Sequence, residues 1–486
     1  MELDAAHCYR ALESRDRRFD GRFFTAVLTT GVYCRPVCPA RTPRPENVRF
    51  FAHAAAAEEA GFRPCLRCRP EAAPGTPAWI GSPAVVARAL RLIGEGGLDG
   101  DDLPTFAERL GVGERQLARL FLTHVGVAPG AVARSRRSSL ARRLLDETDL
   151  PVSELALAAG YSSLRQFNHA MRQRFGEAPT ALRARRRRAG VPSAGEALVL
   201  CLPCRPPFEA ASLLRFLAAR AIPGVEHVDA VGYRRTIRTE GEAGALELRP
   251  NADGASVSLR LEILSPIGLP AIVARARRLF DLDADPLPIA AHLGRSALLA
   301  PRVARRPGLR VPGSWDPFEV AVRAILGQQV TVRGATTLAG RLVSRFGEPI
   351  PAAQGGSLTH LFPLPEALAE ADLAGIGLPH ARADSLRNLA AAIAGGRLAF
   401  DAALGLDDLV ARLTSLPGIG DWTAQYVAMR ACAEPDAFPA SDLGLRRALA
   451  RDGTPLSTQA LLREAEAWRP WRAYAAMHLW TEGEKE

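Results

Sequence analysis

The stretch Leu416–Asp442, LPGIGDWTAQYVAMRACAEPDAFPASD, decides how the rest of the chain is read. Pro417, Gly418 and Gly420 break a helical pattern, which resumes through Trp422, Ala424, Tyr426, Val427 and Met429. Gly418 and Gly420 flank one apolar residue, so the turn is free to take positive φ and aim its backbone N–H groups outward. Outward N–H groups at a helix start hold a phosphate without reading a base. Asp442 follows Pro439 and opens the next helical pattern, LGLRRALARD. Taken singly, a GxG between helices is an ordinary turn, and Ser441 or Asp442 an ordinary N-cap. A phosphate anchor, aromatics and one carboxylate in one short stretch point to chemistry on a nucleotide.

The chain around it has 486 residues, too many for one ordinary core, so three or four domains are expected. At 48% hydrophobic and 23% charged it is globular in composition. The formal charge of +10 is carried mostly by Arg and favours phosphate partners. Charge alone would equally suit an RNA-binding or membrane-surface protein, and a GC-rich genome also enriches Arg. The start, MELDAAHCYRALESRD, has no apolar signal core, and no apolar run is long enough to span a bilayer. A cytoplasmic, nucleoid-associated protein with no membrane partner is expected. In a reducing compartment the eight cysteines call for metal or reactivity ahead of disulfides.

Four of the eight form two close pairs, Cys34-x3-Cys38 and Cys65-x2-Cys68, which read as one four-thiolate Zn²⁺ site. The surrounding text, TTGVYCRPVCPAR and GFRPCLRCRP, resembles the N-terminal domain of the Ada family of bacterial alkylation-response proteins. That resemblance implies that Cys34 accepts a methyl group from a DNA methylphosphotriester, with Cys38, Cys65 and Cys68 as supporting ligands. Zinc holds a thiol deprotonated at neutral pH, hence nucleophilic. A centre with four thiolates is anionic and repels a phosphodiester, and converting one thiolate to a thioether weakens that repulsion. Thr30, Arg41 and Arg63 match family positions that contact DNA, and Pro39 stands where the family pattern has a further Arg. A purely scaffolding zinc is the other reading of the four cysteines.

Beyond a Pro/Gly-rich joint, AAPGTPAWIGSP, two helix-turn-helix patterns follow. In the first, Gly111 marks the turn and Arg115, Gln116 and Arg119 lie on the second helix. In the second, Gly160 marks the turn and Ser162, Ser163, Arg165 and Gln166 open the second helix. Polar side chains at the start of such a helix reach base edges in a major groove. A helical bundle with no role on DNA stays open from the pattern alone. The doubled pattern resembles AraC-type activators, which implies promoter DNA and RNA polymerase as partners. The run Arg183–Arg188 is a phosphate-binding linker or a solvated charge run.

The segments EALVLCLPCRPPF, VDAVGYRRTIR, GALELRP and ASVSLRLEIL alternate as strands, with a helix around Leu213–Arg220. They resemble the small antiparallel α/β N-terminal domain of AlkA glycosylases, which carries no chemistry. Cys201-x2-Cys204 has no second pair nearby and is not read as a metal site. The Pro-Cys-His-Arg motif of O6-methylguanine methyltransferases is absent.

LPGIGDWTAQY followed by FPASD resembles the helix-hairpin-helix–Gly/Pro–Asp DNA glycosylases, within them the AlkA branch of 3-methyladenine DNA glycosylases. Members with lyase activity carry a nucleophilic Lys at the Trp422 position. Trp422 has no such nitrogen, so the resemblance implies a monofunctional glycosylase with Asp442 as its catalytic carboxylate. It also implies that Trp422, Tyr426 and Trp480 line the base pocket, where aromatic faces favour a cationic alkylpurine by about 0.5–2 kcal/mol each. Gln329, in AILGQQVTV, stands where the family inserts a side chain into the hole left by the flipped base; the AlkA pattern has Leu there. Trp468, Trp471 and Tyr474, at helical spacing, read as core.

The expected architecture is multidomain α+β and mostly helical: a zinc domain (1–77), a double helix-turn-helix domain (78–190), a small antiparallel α/β domain (195–300) and a helix-hairpin-helix domain (301–486). The expected function is a self-methylating sensor and transcriptional activator fused to a glycosylase for 3-methyladenine and related bases. It acts as a monomer on alkylated and promoter duplex DNA. The alternative is a regulator whose glycosylase half is inactive and only binds DNA.

Overall fold

The computed structural model describes residues 3–74, 84–100, 102–188, 198–239, 242–263, 265–350, 356–400, 405–450 and 453–483. The Pro/Gly-rich joint and the expected boundaries at 77/78 and 190/195 lie largely or wholly outside these. The chain forms two compact units, Met1–Pro206 with Ala255–Arg275, and Pro207–Gly254 with Ala276–Glu486. Both are predominantly helical around small sheets, and no helix among the described residues is long and apolar enough to cross a membrane.

The first unit opens with the helix Ala5–Glu13, whose cap Asp4 accepts from the N–H groups of Ala6 and His7. A four-stranded sheet follows, in the order Val48–Phe51, Phe24–Val27, Val32–Cys34, Arg63–Pro64. Its last pair is parallel and the others antiparallel. Phe24, Ala26, Tyr33 and Ala57 make its core, so the alternation Val-Tyr-Cys turns Tyr33 inward and leaves Cys34 at the strand's end.

Two helix pairs come next, Leu103–Arg109 with Glu114–His124, and Val152–Ala158 with Leu164–Phe175. The long helix Pro129–Glu147 between them is buried along most of its length. Each pair turns at a left-handed glycine, Gly111 (φ +70°) and Gly160 (φ +87°), as the sequence pattern requires. The strands Leu198–Pro203 and Ser256–Glu262 pair antiparallel in this unit, Leu200 opposite Leu259.

In the second unit the strands Glu226–Val228, Tyr233–Thr239 and Glu242–Pro250 form an antiparallel meander. The helices Pro317–Leu326 and Asp421–Ala431 pack together and are largely buried. Asp316 caps the first of these, and Thr331 caps Val332–Phe346 through the Gly334 N–H. The segment Gly327–Val330 is therefore a short loop held between two capped helices.

Candidate active site and metal centre

Three helices bring the candidate site residues of the second unit together. Trp422 and Tyr426 lie one turn apart on Asp421–Ala431, Asp442 caps Leu443–Ala448, and Trp480 lies on the last helix, Arg472–Gly483. Asp442 is an N-cap, and it is more than that. Its Oδ1 accepts from the Leu445 N–H (2.9 Å) and from Trp480 Nε1 (3.0 Å). Its Oδ2 accepts from Trp422 Nε1 at 2.9 Å. Three donors thus fix one partly exposed carboxylate in a single orientation. Gly444 leaves the room: a Cβ there would stand 2.9 Å from Asp442 Oδ1 and 3.4 Å from the Trp480 ring.

The three aromatic side chains lie together. Trp422 and Tyr426 stack with ring centroids 5.3 Å apart and planes 10° from parallel, and Trp480 meets Tyr426 edge-on at 6.3 Å. Trp468, Trp471 and Tyr474 are buried core.

The structure adds residues that the sequence reading did not single out. Phe216 stands 6.4 Å from Trp480, from a helix far away in the chain. Arg430, one turn beyond Tyr426 and 6% exposed, donates to the Tyr426 hydroxyl (2.7 Å) and to the carbonyls of Pro312 and Gly313. Its guanidinium lies 5.0 Å from the Phe216 ring centre, and that of Arg220 lies 3.6 Å from it. Burial alone would push the Tyr426 phenol up; Arg430, Arg220 and Arg323 outweigh it and hold the phenol below its usual range. The spacing Trp422, Tyr426, Arg430 at i, i+4, i+8 was the available signal for Arg430.

The hairpin differs from expectation in one respect. Gly418 is left-handed (φ +84°), but Gly420 is not: it is the N-cap of Asp421–Ala431, with φ −90° and ψ 175°. A helix needs an extended residue at that position, so only the first glycine makes the turn. No side chain caps this helix, which leaves its first N–H groups for an anion. Gln329 is exposed at the tip of the Gly327–Val330 loop with φ +57°, a conformation that strains any residue but glycine.

In the first unit, one Sγ from each of Cys34, Cys38, Cys65 and Cys68 lies within 4.8 Å of all the others. Zinc–thiolate bonds of about 2.3 Å in a tetrahedron need sulfurs about 3.8 Å apart, so the four thiols fit one Zn²⁺. This is the one metal-capable group of three or more such side chains among the described residues. Cys201 is exposed and Cys204 buried, and neither belongs to it. The Arg35 N–H points at Cys68 Sγ (3.4 Å), the kind of donor that steadies a thiolate. Thr30, Arg41 and Arg63 are all exposed. So are Arg115, Gln116 and Arg119 on Glu114–His124, and Ser162, Ser163, Arg165 and Gln166 at the start of Leu164–Phe175. Part of that second set is engaged locally: Ser163 caps the helix through the Gln166 N–H (3.2 Å), and Ser162 donates to Gln166 Oε1 (3.0 Å).

The chain matches four family models in succession: the metal-binding domain of Ada (7–71), a helix-turn-helix domain (106–185), the AlkA N-terminal domain (199–316) and the HhH-GPD superfamily of base excision DNA repair proteins (322–473). It is 47% identical over 484 residues to a probable bifunctional transcriptional activator/DNA repair enzyme AlkA of Mycobacterium tuberculosis, covering 99% of this chain and 97% of that protein. The chain belongs to this AlkA-type family of bifunctional activator/DNA repair enzymes. Its second half is 36% identical over 285 residues to DNA-3-methyladenine glycosylase 2 of Escherichia coli, covering 57% of this chain and 96% of that one. The 3-methyladenine DNA-glycosylase of Archaeoglobus fulgidus has the same fold over 58% of this chain and 97% of its own, with TM-score 0.51 and 23% identity. This family member accordingly joins an Ada-type zinc domain binding one Zn²⁺, DNA-binding helix-turn-helix pairs and an AlkA-like DNA glycosylase of the HhH-GPD type.

Proposed function

We propose that the glycosylase is monofunctional and that Asp442 is its catalytic carboxylate, acting on 3-methyladenine and related alkylated bases. The observation that carries this is the clasp of Asp442 by the indoles of Trp422 and Trp480 beside the aromatic wall. A flipped base would lie against Trp422, Tyr426 and Trp480, leaving its sugar toward Asp442. The N-glycosidic bond then breaks with its electron pair going to the base, and water adds at C1′. Asp442 stabilises the positive sugar and takes the proton from that water. The hairpin N–H groups at Gly418 and Gly420 hold a phosphate, and Gln329 enters the gap left in the duplex. Base release from methylated DNA tests this: wild type frees 3-methyladenine and Asp442→Asn frees none. Equal release by both would overturn the assignment.

For the first unit we propose that Cys34 accepts a methyl group from a methylphosphotriester. When bound, zinc keeps the thiols ionised. The Cys34 sulfur attacks the methyl carbon, the carbon–oxygen bond breaks, and the phosphodiester leaves with the electron pair. Thr30, Arg41 and Arg63 contact the backbone, while Arg115, Gln116, Arg119, Ser162, Ser163, Arg165 and Gln166 face promoter DNA in successive grooves. The methylated protein recruits RNA polymerase and acts as a monomer at the nucleoid. We read the chain as four domains with the boundaries 1–77, 78–190, 195–300 and 301–486. Incubation with triester-bearing DNA should raise the intact mass by about 14 Da, methyl for proton, mapped to Cys34. An unchanged mass would leave the zinc a scaffold.

A further inference from the structure

We propose that Gln328 is a positioning residue for base excision, latching the Gln329 loop to the phosphate-binding hairpin. The proposal rests on the reading of Gln329 as the side chain that enters the duplex. The Gln328 amide has two N–H bonds and uses both: Nε2 donates to the Gly418 carbonyl (3.0 Å) and to Thr423 Oγ1 (3.2 Å). One partner is the hairpin turn; the other is on the helix that the hairpin starts. Arg382 Nη2 donates to the Gln328 carbonyl at 2.5 Å. Ser385, on the same helix as Arg382, packs so closely on the hairpin that a Cβ at Gly418 would fall 1.7 Å from its Oγ.

These contacts close a circuit. The helix His380–Ala394 touches both loop and hairpin, and Gln328 ties the two directly. The residue after the latch is Gln329, exposed and left-handed. A free loop would relax from that conformation, so something must hold it. Gln328 is the side chain placed to do so. The circuit fixes the spacing between the point where the phosphate is gripped and the point where the duplex is entered. Neither Glu nor Met at position 328 supplies the two donors. Glu would also set a negative charge beside the hairpin that receives the phosphate.

The test is base release and base flipping by the full-length protein on duplex DNA carrying one lesion beside 2-aminopurine. Gln328→Met keeps the volume and removes the donors. It should lower kcat/KM about 5- to 100-fold, as expected for two hydrogen bonds, and lower the flipped fraction, with affinity for undamaged duplex unchanged. Combined with Gln329→Ala, it should add little to the loss from Gln329→Ala alone. Wild-type flipping by Gln328→Met, or fully additive losses, overturns the latch. Wild-type flipping by Gln329→Ala instead overturns the underlying reading of Gln329, a separate result. If Gln328→Met does not fold, Arg382→Met releases the same residue from its carbonyl side, and unchanged flipping there has the same force against the proposal.

Discussion

Replacing Trp422 with Phe separates two roles that the same indole plays. The ring stacks on Tyr426, and its Nε1 is the donor that Oδ2 of Asp442 receives. Phe keeps a face for stacking and loses the donor. A hydrogen bond to a charged group is worth about 1.5–3 kcal/mol. If that is expressed in the transition state, the excision rate falls about 10- to 150-fold, at a factor of ten per 1.36 kcal/mol. Trp480→Phe should cost less, because Oδ1 keeps the Leu445 N–H when the Trp480 donor is removed. Asp442→Asn should cost most: either orientation of the amide turns its NH₂ toward an indole N–H, so the side chain is both neutral and misaligned. The assay is single-turnover base release, which separates chemistry from product release. The reasoning fails if Trp422→Phe leaves the single-turnover rate intact and raises only KM, or if Trp480→Phe is the more damaging change.

Two further outcomes follow from buried charge. In the first unit, Glu58 accepts from the Tyr33 hydroxyl (2.6 Å) and pairs with Arg174, which also donates to the Ser135 carbonyl and Ser139 Oγ. Tyr33 adjoins Cys34, and Arg174 lies on the helix Leu164–Phe175, so Arg174→Met should loosen both. Glu58 is only partly buried and keeps the Tyr33 donor, so the cost falls below that of breaking a fully buried pair, about 3–5 kcal/mol. Hydrogen exchange should quicken in peptides from Leu164–Phe175 and from Val32–Cys34 alike, and a change confined to the helix would refute the coupling. In the second unit, burial pushes Asp281 up to about 6, against Arg310 and donors from Tyr474 (2.8 Å) and Val311 (3.2 Å). A carboxyl raised in the fold ionises first in the unfolded chain, so its contribution is full below about 4 and is lost as pH rises through about 6. The stability difference between wild type and Asp281→Asn, read by urea titration, should therefore change by roughly 1–3 kcal/mol across that window and be flat above it.

Much of the site was legible because short-range spacing carries it. Two cysteine pairs converge on one Zn²⁺ site because each pair is local and only one long loop has to close. Trp422 and Tyr426 share a helix face by the same arithmetic that adds Arg430. For Asp442, capping and chemistry looked like alternatives, yet the carboxylate does the first with one oxygen and offers the second to Trp422. What was not legible lies across long separations. Phe216 reaches Trp480, with Arg220 over its ring, from another part of the unit, and a helical FLAAR text reads only as amphipathic. Glu58 and Arg174 look like surface charges until the fold buries them together.

Gln329 is the instructive case. Its type argues against a left-handed turn, since glycine or asparagine takes that conformation at less cost. The backbone there is φ +57° all the same, at an exposed tip between two capped helices. Backbone bonds inside the loop, Gln328 N–H to Ile325 and Val330 N–H to Gly327, close the turn; Gly418, Thr423 and Arg382, all distant in sequence, hold it further through Gln328. A local rule broken at an exposed position and held by remote contacts suits the role proposed for Gln329, because a side chain that is to enter DNA must stay free of the protein that aims it.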